Sequence, residues 1–223
     1  MIICISAGHG EGENGAVANG LIEADLTLDI AERVQTKLST FEADVRLVPR
    51  RVDLADRTRY ANTLNADLYL SIHCNAGSGT GFESYIHPAA GERTQELQRI
   101  IHGTIMGYLE QQGVKDRGKK TANFQVLRET TMPAVLLECL FIDSDADAAL
   151  LKSDAFLNGL ANEIAYAMVV ALGLKRKPVV PDCNTCEFKE LLTKMMGKVA
   201  DMKGDMEKIG GLMKQIAKIL DKY

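Results

Sequence analysis

Residues 68–77 read LYLSIHCNAG, an apolar run that ends on a histidine and is followed at once by a glycine-containing turn. A run of β-favouring residues with such a boundary predicts a buried strand whose last side chains emerge at the edge of a sheet. His73 is therefore predicted to lie at a strand end, which is where the sites of α/β proteins form.

Strand-like and helix-like segments alternate through residues 1–176. This alternation predicts an α/β fold with a twisted, mostly parallel sheet of about six strands and helices on both faces. Asp53 is expected to cap the second helix, and Gly113 and Gly173 to end the third and fourth. The predicted strands are MIICIS, DVRLV, ADLYLSIH, GFESYIH, NFQVLR and AVLLECLFI, and the predicted helices are LTLDIAERVQTKL, LADRTRYANTL, ERTQELQRIIHGTIMGYLEQQG and DAFLNGLANEIAYAMVVALG.

Composition and charge narrow the functional classes. The chain has 223 residues, of which 46% are hydrophobic, and a formal net charge of -4. Its basic residues are scattered, so neither nucleic acid nor a membrane surface is an expected partner. No apolar stretch reaches the roughly 18 to 20 residues that span a bilayer, and the N-terminal run lacks a signal-peptide pattern. We therefore expect synthesis in the cytoplasm without a signal peptide, and no membrane insertion.

The C-terminal part follows a different pattern. We divide the chain into a first domain (1–176), a proline-containing linker (177–187) and a helical segment (188–223), with a helix break at Gly210 and Gly211. Apolar residues spaced alternately by four and three predict the seam of a coiled coil or of a helix that packs on a partner. They are Phe188, Leu192, Met195, Val199, Met202, Met206, Ile209, Met213, Ile216 and Leu220.

Three separated residues have the chemistry of a metal site. His9 lies in the glycine-rich loop AGHGEGENG, Glu23 stands near a helix start, and His73 ends the third strand. Two neutral imidazoles and one carboxylate, with one position left for water, make a common catalytic zinc shell. Each residue alone has a simpler interpretation, as a hydrogen-bonded loop histidine, a solvated charge at a helix start or a core histidine.

Glu138 is harder to explain structurally because it lies inside the apolar strand PAVLLECLFI, where a carboxylate is costly unless it is paired or used. Beside a metal-activated water, such a carboxylate can take a proton and later deliver it to a leaving amine.

The cysteines and the other two histidines are predicted to have structural roles or none. Cys74 and Cys139 follow His73 and Glu138 directly and should face the opposite side of the sheet, so we interpret them, with Cys4, as small buried apolar residues. Cys183 and Cys186 form a C-x-x-C pair that two chains could combine into one zinc site, although free thiols are the simpler expectation. His87 and His102 are predicted to be surface or helix-face residues.

The order of the motifs resembles the zinc-dependent N-acetylmuramoyl-L-alanine amidases of the type 3 family, from residue 2 to about 174. With no targeting segment, the chain looks like the catalytic domain of a bacteriophage endolysin that is released through a pore made by another protein and then acts on the cell wall. The segments that carry the resemblance are AGHGEGENGAVANGLIEADLTLDIAERV, LADRTRYANTLNADLYLSIHCNA, GFESYI and DRGKKTANFQVLRETTMPAVLLECLFIDSDADAALL.

The resemblance implies a function for particular residues. His9, Glu23 and His73 match the zinc ligands and Glu138 matches the catalytic glutamate. The implied reaction is hydrolysis of the amide between N-acetylmuramic acid and L-alanine in peptidoglycan, with Zn²⁺ as cofactor. Two further residues, Arg57 and Asn62, match positions expected to brace the site from behind the ligands.

Three residues at two places depart from the family's pattern. Ser6 and Ala7 replace the Asp and Pro that often precede G-H-G, so a partner that orients His9 is lost or replaced. Leu140 stands where a small residue commonly follows the catalytic glutamate.

Alternatives remain open at this point. A zinc peptidase that cuts within the stem peptide, and a catalytically silent wall-binding protein, are the rivals to the amidase. For residues 188–223 the alternatives are self-association into a homo-oligomer, docking on the first domain and binding to the cell wall.

Overall fold

The computed structural model describes residues 1–10, 12–50, 53–178, 193–195 and 206–220. The chain forms two compact units, Met1–Arg176 and Lys177–Tyr223. The strands of the first unit are β1 (Ile2–Ala7), β2 (Val17–Ala18), β3 (Leu21–Ile22), β4 (Asp44–Leu47), β5 (Leu68–Asn75), β6 (Phe82–Ile86), β7 (Asp116–Thr121) and β8 (Ala134–Phe141). Its helices are α1 (Glu23–Leu38), α2 (Leu54–Thr63), α3 (Glu92–Leu109), α4 (Gln125–Arg128), α5 (Asp145–Leu151) and α6 (Asp154–Leu172), and the second unit contains α7 (Met206–Leu220).

A six-stranded sheet with the order β4-β1-β5-β8-β6-β7 forms the centre of the first unit. Neighbouring strands run parallel except for β6 and β8, which are antiparallel. The short strands β2 and β3 form a separate antiparallel pair. The predicted α/β fold with a mostly parallel six-stranded sheet is confirmed.

Helices cover both faces of this sheet. The larger core lies between the sheet and α1, α3 and α6, and the smaller core lies under α2 and α4. In β5, Leu70 and Ile72 belong to the larger core and Tyr69 to the smaller one. Because successive strand side chains alternate between faces, His73 points to the same side as Tyr69.

The predicted helix boundaries at three residues are confirmed. The Asp53 side chain accepts a hydrogen bond from the Asp56 amide at 2.7 Å and caps α2. Gly113 and Gly173 adopt left-handed conformations, with φ of 75° and 64°, where the third and fourth predicted helices end. Glycine carries no Cβ penalty in this conformation, which is why it commonly ends helices.

One predicted strand is wrong and one strand of the six-stranded sheet was missed. The segment NFQVLR contains helix α4 instead, while the sixth strand, β7, is formed by DRGKKT. A polar edge strand that is exposed along most of its length lacks the apolar alternation that identifies strands in a sequence. The adjacent apolar residues Val126 and Leu127 are buried in the smaller core by a single helical turn.

Helix α6 is long and apolar enough to cross a membrane by length and composition. The expectation that no apolar stretch of the chain is long enough to span a bilayer is therefore wrong. Half of that stretch is buried inside the first unit, and Leu160, Ile164 and Met168 are completely buried in its larger core. A helix that is apolar on most sides is typical of a protein interior.

Helix α7 continues through Gly210 and Gly211, so the predicted break at these glycines is wrong. Each glycine costs about 1 kcal/mol relative to alanine in a helix, and this cost does not prevent helix formation. Most of the predicted linker (177–187), including Cys183 and Cys186, lies outside the described residues.

Candidate metal centre

Two neighbouring strand ends at the centre of the sheet carry His9 and His73. Strands β1 and β5 pair in parallel, with Ala7 opposite Ile72. The Gly8 amide donates a hydrogen bond to the Ile72 carbonyl at 2.8 Å, so the chain remains close to β5 as it leaves β1. The parallel pairing thereby brings together two histidines that are far apart in the sequence.

Glu23 reaches the same place from the first turn of α1. Its side chain is only 5% exposed, and its carboxylate accepts hydrogen bonds from the amides of Ala16 at 3.0 Å and Cys74 at 3.2 Å. Burial raises the pKa of the Glu23 carboxyl, but hydrogen bonds with His73 and Ala16 and the charges of His9 and His73 outweigh burial and lower it. Glu23 is therefore ionised at neutral pH.

The three side chains converge on one point. Nε2 of His9 lies 3.1 Å from Oε2 of Glu23, and Nδ1 of His73 lies 3.1 Å from Oε1 of the same carboxylate. One ligand atom from each residue lies within 4.8 Å of the others. Two imidazole nitrogens and one carboxylate oxygen at this spacing fit a zinc ion and leave a fourth coordination position open.

Two glycines leave the space that this convergence needs. A Cβ atom on Gly8 would lie 2.5 Å from Cε1 and Nδ1 of His73. A Cβ atom on Gly15, whose φ is +64°, would lie 2.5 Å from Cδ2 of His9 and 2.6 Å from Oε2 of Glu23. The site therefore depends on the absence of side chains at these two positions.

Glu13 is a site residue that the sequence analysis missed. Its Oε1 lies 2.8 Å from Nδ1 of His9, on the ring edge opposite the nitrogen that faces Glu23. A carboxylate at this position fixes the tautomer and orientation of a metal-binding histidine. Glu13 thus occupies the role of the orienting partner that the Ser6 and Ala7 substitutions put in doubt, and its place in the same loop as His9 was the available signal.

Arg57 supports the backbone of the His9 loop. It is buried, and its Nη1 and Nη2 atoms donate hydrogen bonds to the carbonyls of Ala7 at 2.7 Å and His9 at 2.5 Å. These bonds hold the chain on both sides of Gly8. Arg57 therefore contacts a candidate ligand residue through its backbone.

Asn62 lies elsewhere. Its amide group donates to the carbonyl of Glu129 at 2.8 Å and accepts from the amide of Thr131 at 2.9 Å. These contacts fasten the loop that precedes β8, the strand that carries Glu138. Among the described residues, Asn62 makes no side-chain hydrogen bond to His9, Glu23 or His73.

Glu138 lies beside the convergence point, paired with His73 in the parallel β5–β8 ladder. Its side chain is half-buried, and its Oε2 atom is buried without a hydrogen-bond partner in the described structure. Burial, followed by the nearby charges of Glu23 and Glu83, raises the pKa of Glu138 to about 8. A carboxyl whose pKa is raised in this way can both accept and donate a proton near neutral pH.

A bulge follows Glu138 directly. His73 pairs with Glu138, whereas Asn75 pairs with Phe141, so β8 has one more residue than β5 over this interval. Leu140 lies in the bulge with a φ of +70°, although it is completely buried. Bulges beside active sites redirect neighbouring side chains. Leu140 is also the position at which this chain departs from the family's small residue.

The predictions for Cys4, Cys74 and Cys139 are confirmed, since all three are buried free thiols. Cys74 and Cys139 belong to the larger core, on the face opposite His73 and Glu138. Burial raises the pKa of Cys4 to about 11 and the pKa of Cys74 and Cys139 well above the ordinary thiol value. The thiols are therefore protonated and face away from the candidate metal site.

His102 is a buried helix-face residue that connects α3 to two strands. Its Nδ1 lies 2.9 Å from Oγ of Ser84, and its Nε2 lies 3.0 Å from Oδ1 of Asp116. The order serine, histidine, aspartate matches a hydrolase triad, but Ser84 is completely buried and no substrate can reach its hydroxyl. The arrangement is structural. His87 is half-buried at the end of β6 and lies 3.3 Å from Asn123.

Comparison with known proteins shows the family to which the chain belongs. Residues 3–169 match the family model for N-acetylmuramoyl-L-alanine amidase. The endolysin of Bacillus phage SPP1 is 43% identical over 183 residues, which are 79% of this chain and 68% of the relative. The sporulation-specific N-acetylmuramoyl-L-alanine amidase of Bacillus subtilis strain 168 is 46% identical over 179 residues, 78% of this chain and 69% of the relative.

Solved structures of amidases have a fold similar to that of this chain. The catalytic domain of the amidase CwlV from Paenibacillus polymyxa superposes with a TM-score of 0.71 at 30% identity, over 78% of this chain and 99% of that one. An N-acetylmuramoyl-L-alanine amidase from Clostridium difficile 630 gives a TM-score of 0.71 at 32% identity, over 77% and 96% of the two chains. By sequence match and by fold, the chain belongs to the N-acetylmuramoyl-L-alanine amidase family.

Proposed function

We propose that His9, Glu23 and His73 bind zinc, and that this zinc serves the activity of the family, hydrolysis of the amide between N-acetylmuramic acid and L-alanine in peptidoglycan. The observation that carries the proposal is the convergence of three donor atoms within 4.8 Å of one another. Glu138 on the adjacent strand supports it, because a half-buried carboxylate with an unpartnered oxygen stands beside the donors.

The proposed mechanism assigns one task to each part of the site. Bound zinc would polarise the scissile carbonyl and lower the pKa of water from 15.7 towards roughly 7. Glu138 takes a proton from the attacking water and delivers it to the nitrogen of the leaving L-alanine. The carbon–nitrogen bond breaks, which leaves a lactyl carboxylate on the sugar and a free amino terminus on the stem peptide. A bound zinc ion would favour the ionised form of Glu138, which is the form that takes the first proton.

Three residues support the site from outside the donor cluster. Glu13 orients the His9 ring through Nδ1, and Arg57 fixes the His9 backbone through the carbonyls of Ala7 and His9. Asn62 acts further away, by fastening the loop that precedes the Glu138 strand. Each therefore acts through another group, without contact to the scissile bond.

Product analysis tests the proposed reaction against its rivals. Sacculi digested by the zinc-loaded enzyme should yield stem peptides with an L-alanine amino terminus and glycans that retain the lactyl group, as mass spectrometry will show. A chelator should stop both this release and the loss of turbidity of purified walls. Cuts within the stem peptide would indicate the zinc peptidase, and unchanged walls the silent binding protein.

We also propose that the enzyme acts as a phage endolysin that lyses the host cell. Its 43% identity to the endolysin of phage SPP1 supports this role. The enzyme is then made in the host cytoplasm and reaches the wall only after the membrane is opened. Cells that express the chain should remain intact until a pore-forming agent is added and should then lyse, whereas an inactive variant should cause no lysis.

For residues 188–223 we propose self-association into a homo-oligomer. Within α7, the predicted seam residues Met213, Ile216 and Leu220 follow one another at intervals of three and four, and Met213 and Leu220 are exposed. Such residues share one side of a helix, as in a coiled-coil seam. An isolated amphipathic helix of this length is marginal in water, so an apolar partner surface would stabilise it.

A further inference from the structure

A row of polar side chains crosses the sheet beyond Glu138. His73 on β5 pairs with Glu138 on β8, and Glu138 pairs with Glu83 on the antiparallel strand β6. Directly paired residues point to the same face of a sheet. The row ends on β7, where Arg117 contacts Glu83. The cluster around Glu83 therefore shares the face and the level of the candidate metal site.

Glu83 is a buried carboxylate that holds two cations. It is 2% exposed and accepts hydrogen bonds from Asn75 Nδ2 at 2.7 Å, Tyr85 Oη at 2.8 Å and Arg117 Nε at 2.7 Å, and another from Lys120 Nζ. Burial raises the pKa of Glu83, but the bonds from Lys120, Arg117 and Tyr85 outweigh burial and lower it. One ionised carboxylate thus faces two positive charges, which gives the group a net charge of about +1.

The positive charges are open to solvent although the carboxylate is not. The side chains of Arg117 and Lys120 are 27% and 36% exposed, against 2% for Glu83. The Arg117 guanidinium lies 4.6 Å from the centre of the Phe141 ring, and within the described part of the chain its Nη2 has no hydrogen-bond partner. One cation would suffice to neutralise Glu83, so the second is available for an anion.

We propose that Arg117 and Lys120, positioned by Glu83, bind the free α-carboxylate of the second stem-peptide residue. This inference rests on the proposed amidase function and names a specificity site for it. The residue after L-alanine in the stem peptide is a glutamate joined through its side chain, so its α-carboxyl is either a free carboxylate or an amide. A charged pair that prefers the free acid would set which walls are cut fastest.

The distances suit such a contact. Neighbouring strands lie about 4.8 Å apart, so the β7 position of Arg117 is roughly 10 Å from the Glu138 strand. One extended residue spans about 3.5 Å, which places the α-carboxylate within roughly 7 Å of the scissile amide. The length of the Arg117 and Lys120 side chains covers the remaining distance.

Lys120 offers a clean test because its removal leaves the Glu83–Arg117 ion pair in place. Lys119 is the matched control. Lys120 pairs with Tyr85, on the face of Glu83, whereas Lys119 pairs with Ser84, on the opposite face. Lys120→Met and Lys119→Met each remove one positive charge, and the two positions are adjacent on β7. The two variants therefore differ mainly in which face of the sheet loses the charge.

The experiment uses the zinc-loaded full chain and two substrates, N-acetylmuramoyl-L-alanyl-D-glutamate whose side-chain carboxyl is amidated in both and whose α-carboxyl is either free or amidated. Wild type should cleave the free acid with a kcat/KM about tenfold higher than the amide, the size of one charged hydrogen bond. Lys120→Met should remove this preference through a higher KM for the acid, so that the acid is cleaved no faster than the amide. Lys119→Met should behave as wild type, and Lys120→Arg should retain the preference.

The outcomes separate the two proposals. Equal cleavage of both substrates by wild type, or an unchanged preference in Lys120→Met, would overturn the carboxylate site and leave the amidase function intact. Cleavage of neither substrate by wild type would overturn both. Thermal melting of each variant shows whether it is folded, and Lys120→Gln, which also removes the charge, decides the question if Lys120→Met does not fold.

Discussion

His73 and Glu138 occupy paired positions on the neighbouring parallel strands β5 and β8. The sheet's backbone hydrogen bonds therefore set the separation between a candidate zinc ligand and the candidate proton-transfer group. Paired strands lie about 4.8 Å apart, which leaves room for a water molecule between two inward-facing side chains. Side chains on strands are held more rigidly than side chains on loops, so the sheet fixes the spacing between His73 and Glu138.

Replacing Glu138 by Gln should abolish hydrolysis without removing zinc. The amide has nearly the same shape but cannot take the proton from water, and such transfers contribute roughly 10²- to 10⁴-fold to rates. We expect a loss of about 10³-fold in kcat, with one zinc per chain retained in metal analysis. Activity within a factor of three of wild type would remove Glu138 from the mechanism.

The same variant should stabilise the metal-free protein, increasingly so as pH rises. Glu138 has a pKa of about 8 in the folded chain against an ordinary value of 4.5. Between these values the unfolded chain loses a proton that the folded chain keeps, so wild-type stability falls as pH rises through this window. Glu138→Gln has no such loss and should be more stable by about 3 kcal/mol at pH 7, but equal to wild type near pH 4.

Chemical denaturation of the metal-free protein at several pH values measures this difference. Glu32→Gln, which alters an exposed glutamate of α1, is the control and should show no comparable trend. Added zinc should shrink the advantage of Glu138→Gln, because a nearby cation favours the ionised carboxylate. A stability gap that does not vary with pH would show that the buried carboxyl does not titrate as described.

Glu13→Gln should weaken zinc binding about tenfold, since partners that orient a ligand histidine contribute 10- to 100-fold to metal affinity. We expect the low end of this range because the Glu13 side chain is 71% exposed. Competition with a chromophoric chelator measures the affinity. Glu32→Gln again provides the control, and an unchanged zinc affinity in Glu13→Gln would show that the contact with His9 does not orient its ring.

Gly15→Ala should remove zinc binding, whereas Gly20→Ala should not. Both glycines have a left-handed φ, +64° and +70°, so both substitutions carry a similar backbone strain of about 1–2 kcal/mol. Only at Gly15 would the new methyl group collide with His9 and Glu23; a Cβ atom on Gly20 would have no described atom within 4 Å beyond its chain neighbours. Zinc titration compares the two, and equal affinities would mean that the donor cluster tolerates displacement.

The sequence predicts this site better than it predicts the edge of the sheet. His9, Glu23 and His73 could be grouped because imidazole and carboxylate at predicted strand and helix ends form a recognised ligand set. Strand β7 could not be found in this way, since its residues are mostly polar and exposed and give no apolar alternation.

The sequence also does not predict which side chains from different elements contact each other. Glu83 is one of many acidic residues, and nothing in its spacing predicts that it holds Arg117. The bulge at Leu140 was equally hidden, because a left-handed conformation is unexpected for a buried leucine. Such features depend on strand register, which is set by the whole sheet.

Self-association through residues 188–223 predicts a concentration-dependent mass for the full chain. Light scattering should give an oligomer for the full chain and a monomer for residues 1–176, because burial of the apolar side of α7 requires a partner. Within the full chain, Ile216→Glu should shift the equilibrium to monomer. Gln215→Glu adds the same charge at a neighbouring exposed position and should leave the oligomer intact. Monomers at every concentration for the wild-type chain would rule out association and leave docking or wall binding for this segment.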